Sequence, residues 1–443
     1  MKKFFPFLFI CVLAINSFLY AQDNGGDALP SVFTLEECIR YAEGNNYSIQ
    51  SSGIDVQSSE LSLRQARENI APSVSATASQ NVSFGNYERS VGWGGNYGVS
   101  AGMTLFNGLS NANKIKQSKL GVEQSLLADE RTRNNVRIQV IQAFLAIMMN
   151  EDMLTYQQEV LNSSKEQMEQ GEKQLAVGQI LESDYKMLQA QYTSDLYSVE
   201  NIKNNIQSNY LTLKNLLAID HDRQIRISPP DSATLFRSLD LPDLQTLIDR
   251  SNGYLPELKI SENAVQSAEY DVKIQKASFY PNLSLSAGIN TGYSGSNLTS
   301  PNQSWGSQVW QKLGENVSLN LNIPIYQHGS VRNNVKQAQY RAQQVELERR
   351  ETEHQIGQEL RQSYIDVLAA QNDYLASEAK KDAYLANFNT YRTRFKYGSV
   401  TAVELIQQQT NYLNQLNQYM QSKYSYVFKR KILDVYMGVP VKM

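Results

Sequence analysis

Two short segments of the 443-residue chain set a carboxylate at the same distance from a glycine. One reads Val177-Gly178-Gln179-Ile180-Leu181-Glu182-Ser183-Asp184; the other reads Tyr397-Gly398-Ser399-Val400-Thr401-Ala402-Val403-Glu404. Glycine in such a place suits a chain reversal that needs positive φ. A carboxylate beyond it can do either of two things. It can favour the N-terminal end of a helix dipole, although the second helical turn, where the spacing puts it, is late for that effect. If copies of the chain surround an axis, it can instead form a ring of like charges that favours cations at a constriction. Other candidates for chemistry are weaker. His221, His328 and His354 are far apart and share no ligand spacing. Met148, Met149 and Met153 lie among Phe144, Leu145, Ile147 and Leu154, so they read as packing residues. There is no glycine-rich phosphate loop, no G-x-S-x-G and no C-x-x-C. The sequence therefore predicts no catalytic centre, no cofactor and no metal.

Composition narrows the partners. Charged residues are 19% of the chain, below the usual ~25% of soluble proteins. A net charge of −3 argues against nucleic acid. Lys2 and Lys3 precede an apolar run from Phe4 to about Tyr20, and Ala21 follows, which predicts a signal peptide over residues 1–21. Lipidation at Cys11 is disfavoured because bulky Ile10 precedes it. Cleavage leaves Cys38 as the one thiol, and its position on an apolar helix face predicts a buried, inert side chain. No later stretch is apolar enough, over about 20 residues, to be a membrane helix.

The elements that must carry these residues come in two copies. Leu35 to Pro72 aligns without gaps on Leu244 to Pro281, and Gly178, Asp184 and Ala218 fall on Gly398, Glu404 and Gly438. This divides the mature chain into a first repeat (22–225), a linker with Pro229, Pro230 and Pro242 (226–242) and a second repeat (243–443). The second repeat carries a Gly/Ser/Asn-rich insertion around Ser294 to Ser307. Each repeat holds a β-hairpin, expected at about 72–107 and about 281–326. In these hairpins Val74, Ala76 and Ala78, Tyr97 to Leu105, Leu283 to Ile289 and Val317 to Ile325 alternate with Ser, Thr, Asn and Gly. Strands of about 10–12 residues with that alternation fit a tilted membrane strand with an uncharged, wet inner face. A soluble sandwich layer also alternates. Four strands, however, leave two edges that lipid cannot satisfy, so a membrane reading requires a barrel shared between chains.

Each hairpin runs into a proline-free stretch that reads as a long helical hairpin, at about 109–218 and about 330–437. The outgoing helices, from about Ser110 to Ala176 and Ser330 to Lys396, would each be about 100 Å long. Leu360, Val367 and Tyr374, then Ile406, Leu413, Met420 and Val427, recur every seven residues, the coiled-coil period.

In this order the chain resembles the TolC-like outer-membrane efflux proteins. The resemblance rests on the repeat, on Pro72 and Pro281 at strand entry, on Gly108 and Gly329 after the hairpins, and on the two turn sequences. It implies a mainly α fold with long antiparallel coiled-coil hairpins and four transmembrane β-strands per chain. Three chains would make a homotrimer with a 12-stranded barrel and an α-helical periplasmic tunnel. It implies an outer-membrane exit duct for efflux or type I secretion that catalyses no reaction. Its partners would be a periplasmic adaptor, an inner-membrane pump of RND or ABC type, and outer-membrane lipid. Val177, Gly178, Tyr397 and Gly398 would dock the adaptor, and Asp184 and Glu404 match gate and aperture acids. Gln407 stands where a second aperture acid is expected, and Val400 where some members carry a gate arginine. The alternative is a periplasmic coiled-coil adaptor or scaffold with a soluble β domain.

Overall fold

The structure is a computed structural model and describes residues 32–85, 90–229, 241, 243–296 and 304–439. The signal segment 1–21, Pro230 and Pro242 of the linker, and much of the insertion lie outside the described residues.

The first repeat runs α1 (Leu35–Asn45), α2 (Tyr47–Glu68), β2 (Ser73–Phe84), β3 (Val91–Asn107), α3 (Ser110–Ala176) and α4 (Glu182–Leu217). The second runs α5 (Leu244–Tyr254), α6 (Pro256–Ala277), β5 (Asn282–Ser296), α7 (Trp305–Gln311), β6 (Gly314–Asn322), α8 (Ser330–Lys396) and α9 (Ala402–Tyr436). A parallel pair, β1 (Val32–Phe33) with β4 (Arg226–Ile227), ties the start of the first repeat to its end. The helices α3 and α8 are 67 residues each, so both extend about 100 Å. Among the described residues no helix is long and apolar enough to cross a membrane.

The core lies around the middle of α3, not at its ends. Val140, Ile141, Phe144 and Ile147 are fully buried there against Leu213 and Leu217 of α4, with Phe33, Leu35 and Cys38 covering them. Each such side chain stabilises by about 1.5–3 kcal/mol relative to exposure. Met148 is buried, and Met149 and Met153 pack at the edge of the same cluster. Burial pushes the Cys38 thiol up to about 12, which leaves it protonated and unreactive. Of the expected heptad residues on α8 and α9, Leu360, Val367, Tyr374, Met420 and Val427 are buried, whereas Ile406 and Leu413 are only partly so and their neighbours Leu405 and Tyr412 take the buried places.

The four long strands form one antiparallel sheet in the order β2-β3-β5-β6. Its register sorts the side chains by character. One face aligns Val74, Ala101, Ala287 and Val317, then Met103, Leu285 and Leu319, then Phe106, Leu283 and Leu321. The other aligns Ser75, Ser100, Gly288 and Asn316, then Ser73, Gly102, Ser286 and Ser318. The apolar face is not folded onto a core: Val317 is 78% exposed and Leu319 63%. The outer edges, on β2 and β6, have no strand partner among the described residues.

Only β2 keeps to the expected 10–12 residues. The four strands span 12, 17, 15 and 9 residues, β3 and β5 being the long central pair. The fourth stops at Asn322 because Pro324 lacks an N–H for the ladder, so Ile323 and Ile325 lie beyond it. Leu105 does not share the face of Met103. The register shifts between Thr104 and Phe106, and Phe106 takes that face. The insertion also holds a short helix, α7, that the Gly/Ser/Asn composition did not announce.

Candidate functional site

Both long helices end in the same way. Gly178 has φ 73° and Gly398 φ 68°. The Gln179 N–H reaches back to the Gln174 carbonyl at 2.8 Å, and the Ser399 N–H to the Arg394 carbonyl at 2.9 Å. Together with the Gly178 and Gly398 N–H bonds to Leu175 and Phe395, this is the six-to-one closure of a Schellman motif. It satisfies carbonyls that the helix end would otherwise leave open. Val177 and Tyr397, one residue earlier, are 69% and 77% exposed, so each turn presents a large apolar side chain to its surroundings. The two turns share one end of the molecule, because the Gln174 side chain donates to the Phe395 carbonyl at 3.2 Å.

The acids are not in the second helical turn. The returning helices begin only at Glu182 and Ala402, after an extended residue at Leu181 (ψ 154°) and Thr401 (ψ 162°). Asp184 and Glu404 therefore sit at the third helical position, inside the first turn. Glu404 has structural work there. Its Oε2 accepts from the Thr401 N–H at 2.8 Å and from Thr401 Oγ1 at 3.0 Å, and its own N–H donates to Thr401 Oγ1 at 3.3 Å. This capping box satisfies otherwise open donors of the helix start. The hydrogen bonds from the Thr401 backbone and side chain hold the exposed Glu404 carboxyl below the usual range. Asp184 is half-buried, and its helix has no side-chain cap at Leu181. Gln407 is exposed and donates to Asn411 at 3.2 Å along its own helix. Among the described residues, no hydrogen bond or ion pair joins Asp184 to Glu404.

At the other end, Pro72 and Pro281 stand immediately before β2 and β5, where a missing N–H costs no ladder bond. Gly108 (φ 64°) and Gly329 (φ 74°) form the reversal from strand to long helix. A side chain at Gly108 would also lie 2.5 Å from the Ala277 carbonyl, so the two repeats touch there.

One cluster escaped the sequence reading. About 20 Å along α4 from its start, Asp195 is 2% exposed, with Ser164 of α3 at 1% and Gln409 of α9 at 0%. Ser164 Oγ donates to Asp195 Oδ2, and Gln409 Nε2 donates to Asp195 Oδ2 at 2.7 Å and to Ser164 Oγ at 2.9 Å. Gln191 adds a bond to Oδ1 at 3.0 Å. Burial pushes the Asp195 carboxyl above its ordinary value, against the lowering effect of these donors. Gln409 Oε1 is buried without a partner. The cluster fastens the first helical hairpin to the second beside a polar groove of about 540 Å³. The available signal was positional. Gln409 occupies a slot in the buried series Leu405, Tyr412 and Leu416, and Asp195 falls seven residues after Leu188.

The chain matches the family described as outer membrane efflux protein over residues 38–218 and 247–439. It is 21% identical to outer membrane protein TolC of Salmonella enteritidis, covering 99% of this chain and 86% of that protein. It is 23% identical to the alkaline protease secretion protein AprF of Pseudomonas aeruginosa, covering 76% and 69%. The cation efflux system protein CusC of Escherichia coli is likewise 23% identical, with 89% and 84% covered. A solved CusC structure superimposes with a TM-score of 0.76 over 91% of this chain and 92% of that one, at 17% identity.

Proposed function

The chain belongs to the outer membrane efflux protein family, and we propose that three copies of it close into the exit duct of a tripartite efflux or type I secretion system. The protein is an outer-membrane channel with a periplasmic extension; its family is one of channels, not enzymes. What carries the proposal is the sheet. Its apolar face is exposed, its opposite face is polar and uncharged, and both outer edges are open. Edges cannot face lipid, and four strands are too few to close a barrel. Three copies remove every edge by pairing β6 of one with β2 of the next. The polar faces then line a wet lumen, which α3, α4, α8 and α9 continue into the periplasm.

In this arrangement the tips lie at the periplasmic end. Three copies of Glu404 form a ring of carboxylates, with Asp184 beside it and Gln407 as its neutral neighbour. Val177, Gly178, Tyr397 and Gly398 offer exposed apolar contacts to an adaptor, which links the duct to an inner-membrane pump. The relatives' names include a protease secretion protein and a cation efflux protein, so both kinds of cargo occur among chains of this type. A periplasmic scaffold with a soluble β domain fits neither the family match nor the exposed apolar face. The test is reconstitution of the purified protein in planar bilayers, with native mass measured in parallel. Discrete conducting channels from a three-chain particle are expected; a non-conducting monomer would refute the duct.

A further inference from the structure

The sheet is not the whole of the lipid-facing surface. The ladder between β5 and β6 ends at Asn290 and Gly314, yet β5 continues to Ser296 along β3. The uncovered stretch of β5 edge is occupied by α7. The Ser294 N–H donates to the Gln308 side chain at 3.1 Å, and Thr291 Oγ1 donates to the Val309 carbonyl at 2.5 Å. Lys312 Nζ reaches Ser294 Oγ at 3.2 Å. The helix caps this edge from both sides: Thr291 and Tyr293, of the series Leu283, Leu285, Ala287 and Ile289, meet it on the apolar side, and Ser294, of the polar series, meets Lys312. Tyr293 meets Trp305 edge to face, with ring centroids 6.3 Å apart.

At this height the apolar face changes character. Below it the rows hold Val, Leu, Ala, Met, Phe106 and Ile289, and the exposed Glu315 of β6 stands opposite Ile289 in the last of them. At it come Gln80, Tyr97, Thr291 and Tyr293, with Gln80 bonded to the Tyr97 hydroxyl and the Tyr293 hydroxyl donating to Gln80 at 2.6 Å. From Leu283 to Tyr293, ten residues of strand tilted at about 45° rise roughly 23 Å, the height of a barrel's apolar band. Aromatic rings carrying polar atoms collect where such a band meets the headgroups. Trp305 is 58% exposed and Trp310 78%, and Leu313 is exposed next to them.

Resting on the barrel reading, we propose that α7 is a membrane-interface anchor. It lies outside the barrel wall in the headgroup layer of the outer leaflet, with Trp305 and Trp310 against the lipid ester region. Lys312 ties the helix to Ser294 and Gln308, and the anchor fixes how deep the barrel sits. The occupant is lipid because Thr291 and Tyr293, which seat the helix, extend the lipid-facing series of β5.

The chain has three tryptophans, so single-tryptophan proteins need only two substitutions. Trp93→Phe/Trp305→Phe leaves Trp310, and Trp93→Phe/Trp310→Phe leaves Trp305. Each is reconstituted, as the full mature chain, in phosphatidylcholine vesicles brominated near the ester or near the chain middle. Both reporters should lose most emission to bromine near the ester, and little to iodide in the water. Strong iodide quenching without bromine quenching would overturn the proposal, because the helix would then stand in solvent. Protection from both quenchers would also overturn it, because a neighbouring subunit would then be the cover. Leu319→Trp, in a background with all three tryptophans replaced by Phe, is the control for the barrel itself. Mid-chain bromine should quench it, and if it does not, the barrel reading fails and the anchor with it. Should the tryptophan variants misfold, a nitroxide on Trp310→Cys reports the depth of the same position. Cys38 is buried and does not compete for the label. Collisions with oxygen exceeding those with a water-soluble nickel chelate would support the anchor; the reverse would overturn it.

Discussion

Replacing Asp195 by Ala and by Asn should have opposite consequences, and the reason is the chemistry of a buried carboxylate. Ala removes the acceptor of three hydrogen bonds, from Ser164, Gln191 and Gln409. Ser164 can turn its O–H to the Val160 carbonyl, and Gln191 is partly exposed and can turn to water. Gln409 is fully buried and is left with a donor unsatisfied beside an acceptor that already is. One orphaned buried donor costs about 1–3 kcal/mol, and loss of charge-assisted bonds brings the total to roughly 2–4 kcal/mol. Asn keeps the shape and one acceptor. With Asn Oδ1 in the place of Oδ2, the bonds from Gln409 and Ser164 are kept, and the new N–H₂ faces Gln191, which is partly exposed and can turn its amide oxygen toward it. Asn also removes the cost of burying a charge.

The pH dependence fixes the sign. The folded state raises the Asp195 carboxyl, so it prefers the protonated form. That contribution is fully present below the ordinary carboxylate value of about 3.9 and is lost as pH rises through the folded value. Asp195→Asn should therefore gain on the wild type from acid to neutral pH and equal or exceed it at pH ~7, while Asp195→Ala falls below both. Amide hydrogen exchange along α4 and α9, in detergent-solubilised protein, reads this locally. Ala should expose the segments around Leu188 to Val199 and Leu405 to Leu416. Equal protection in Ala and wild type, or a loss in Asn as large as in Ala, would refute the reasoning.

Further outcomes follow from the tips and the sheet. A Cβ at Gly398 meets no neighbouring atom within 4 Å, so the cost of Gly398→Val is chiefly that of the left-handed backbone, at least about 1–2 kcal/mol. Trimers should survive on native gels while export fails. Thr401→Ala removes the capping box and should fray the start of α9 by about 1 kcal/mol, visible as faster amide exchange there. Glu404→Ala should lower cation selectivity in bilayer reversal potentials. Leu319→Arg should cost insertion about 2–4 kcal/mol near the bilayer middle and abolish membrane-embedded oligomers, whereas Asn320→Arg should spare them and change conductance.

Much of this architecture is legible in the chain because its parts have simple periods. The alternation around Val74 and Leu285 and the proline-free runs fix strands and long helices without long-range information. The tip glycines are legible because a reversal between two long helices has few other solutions. What is not legible depends on register or distance. The helix start at Ala402 and not nearer Gly398, which makes Glu404 a cap, depends on an extended Thr401. The bulge at Leu105 appears only when β3 is set against β5. The Asp195 cluster joins positions 214 residues apart, and nothing local marks it beyond a polar residue in an apolar slot. The helix α7 forms from a stretch whose composition favours a loop, because the free edge of β5 gives its polar side chains partners.

The central claim is that this sheet is one third of a barrel wall, lipid outside and water within. A nitroxide scan along β6 of the reconstituted protein, from Asn316 to Leu321, tests it most directly. Collision with oxygen should peak at Val317, Leu319 and Leu321, and collision with a water-soluble nickel chelate at Asn316, Ser318 and Asn320. Uniform access by the water-soluble reagent at all six positions would contradict the account.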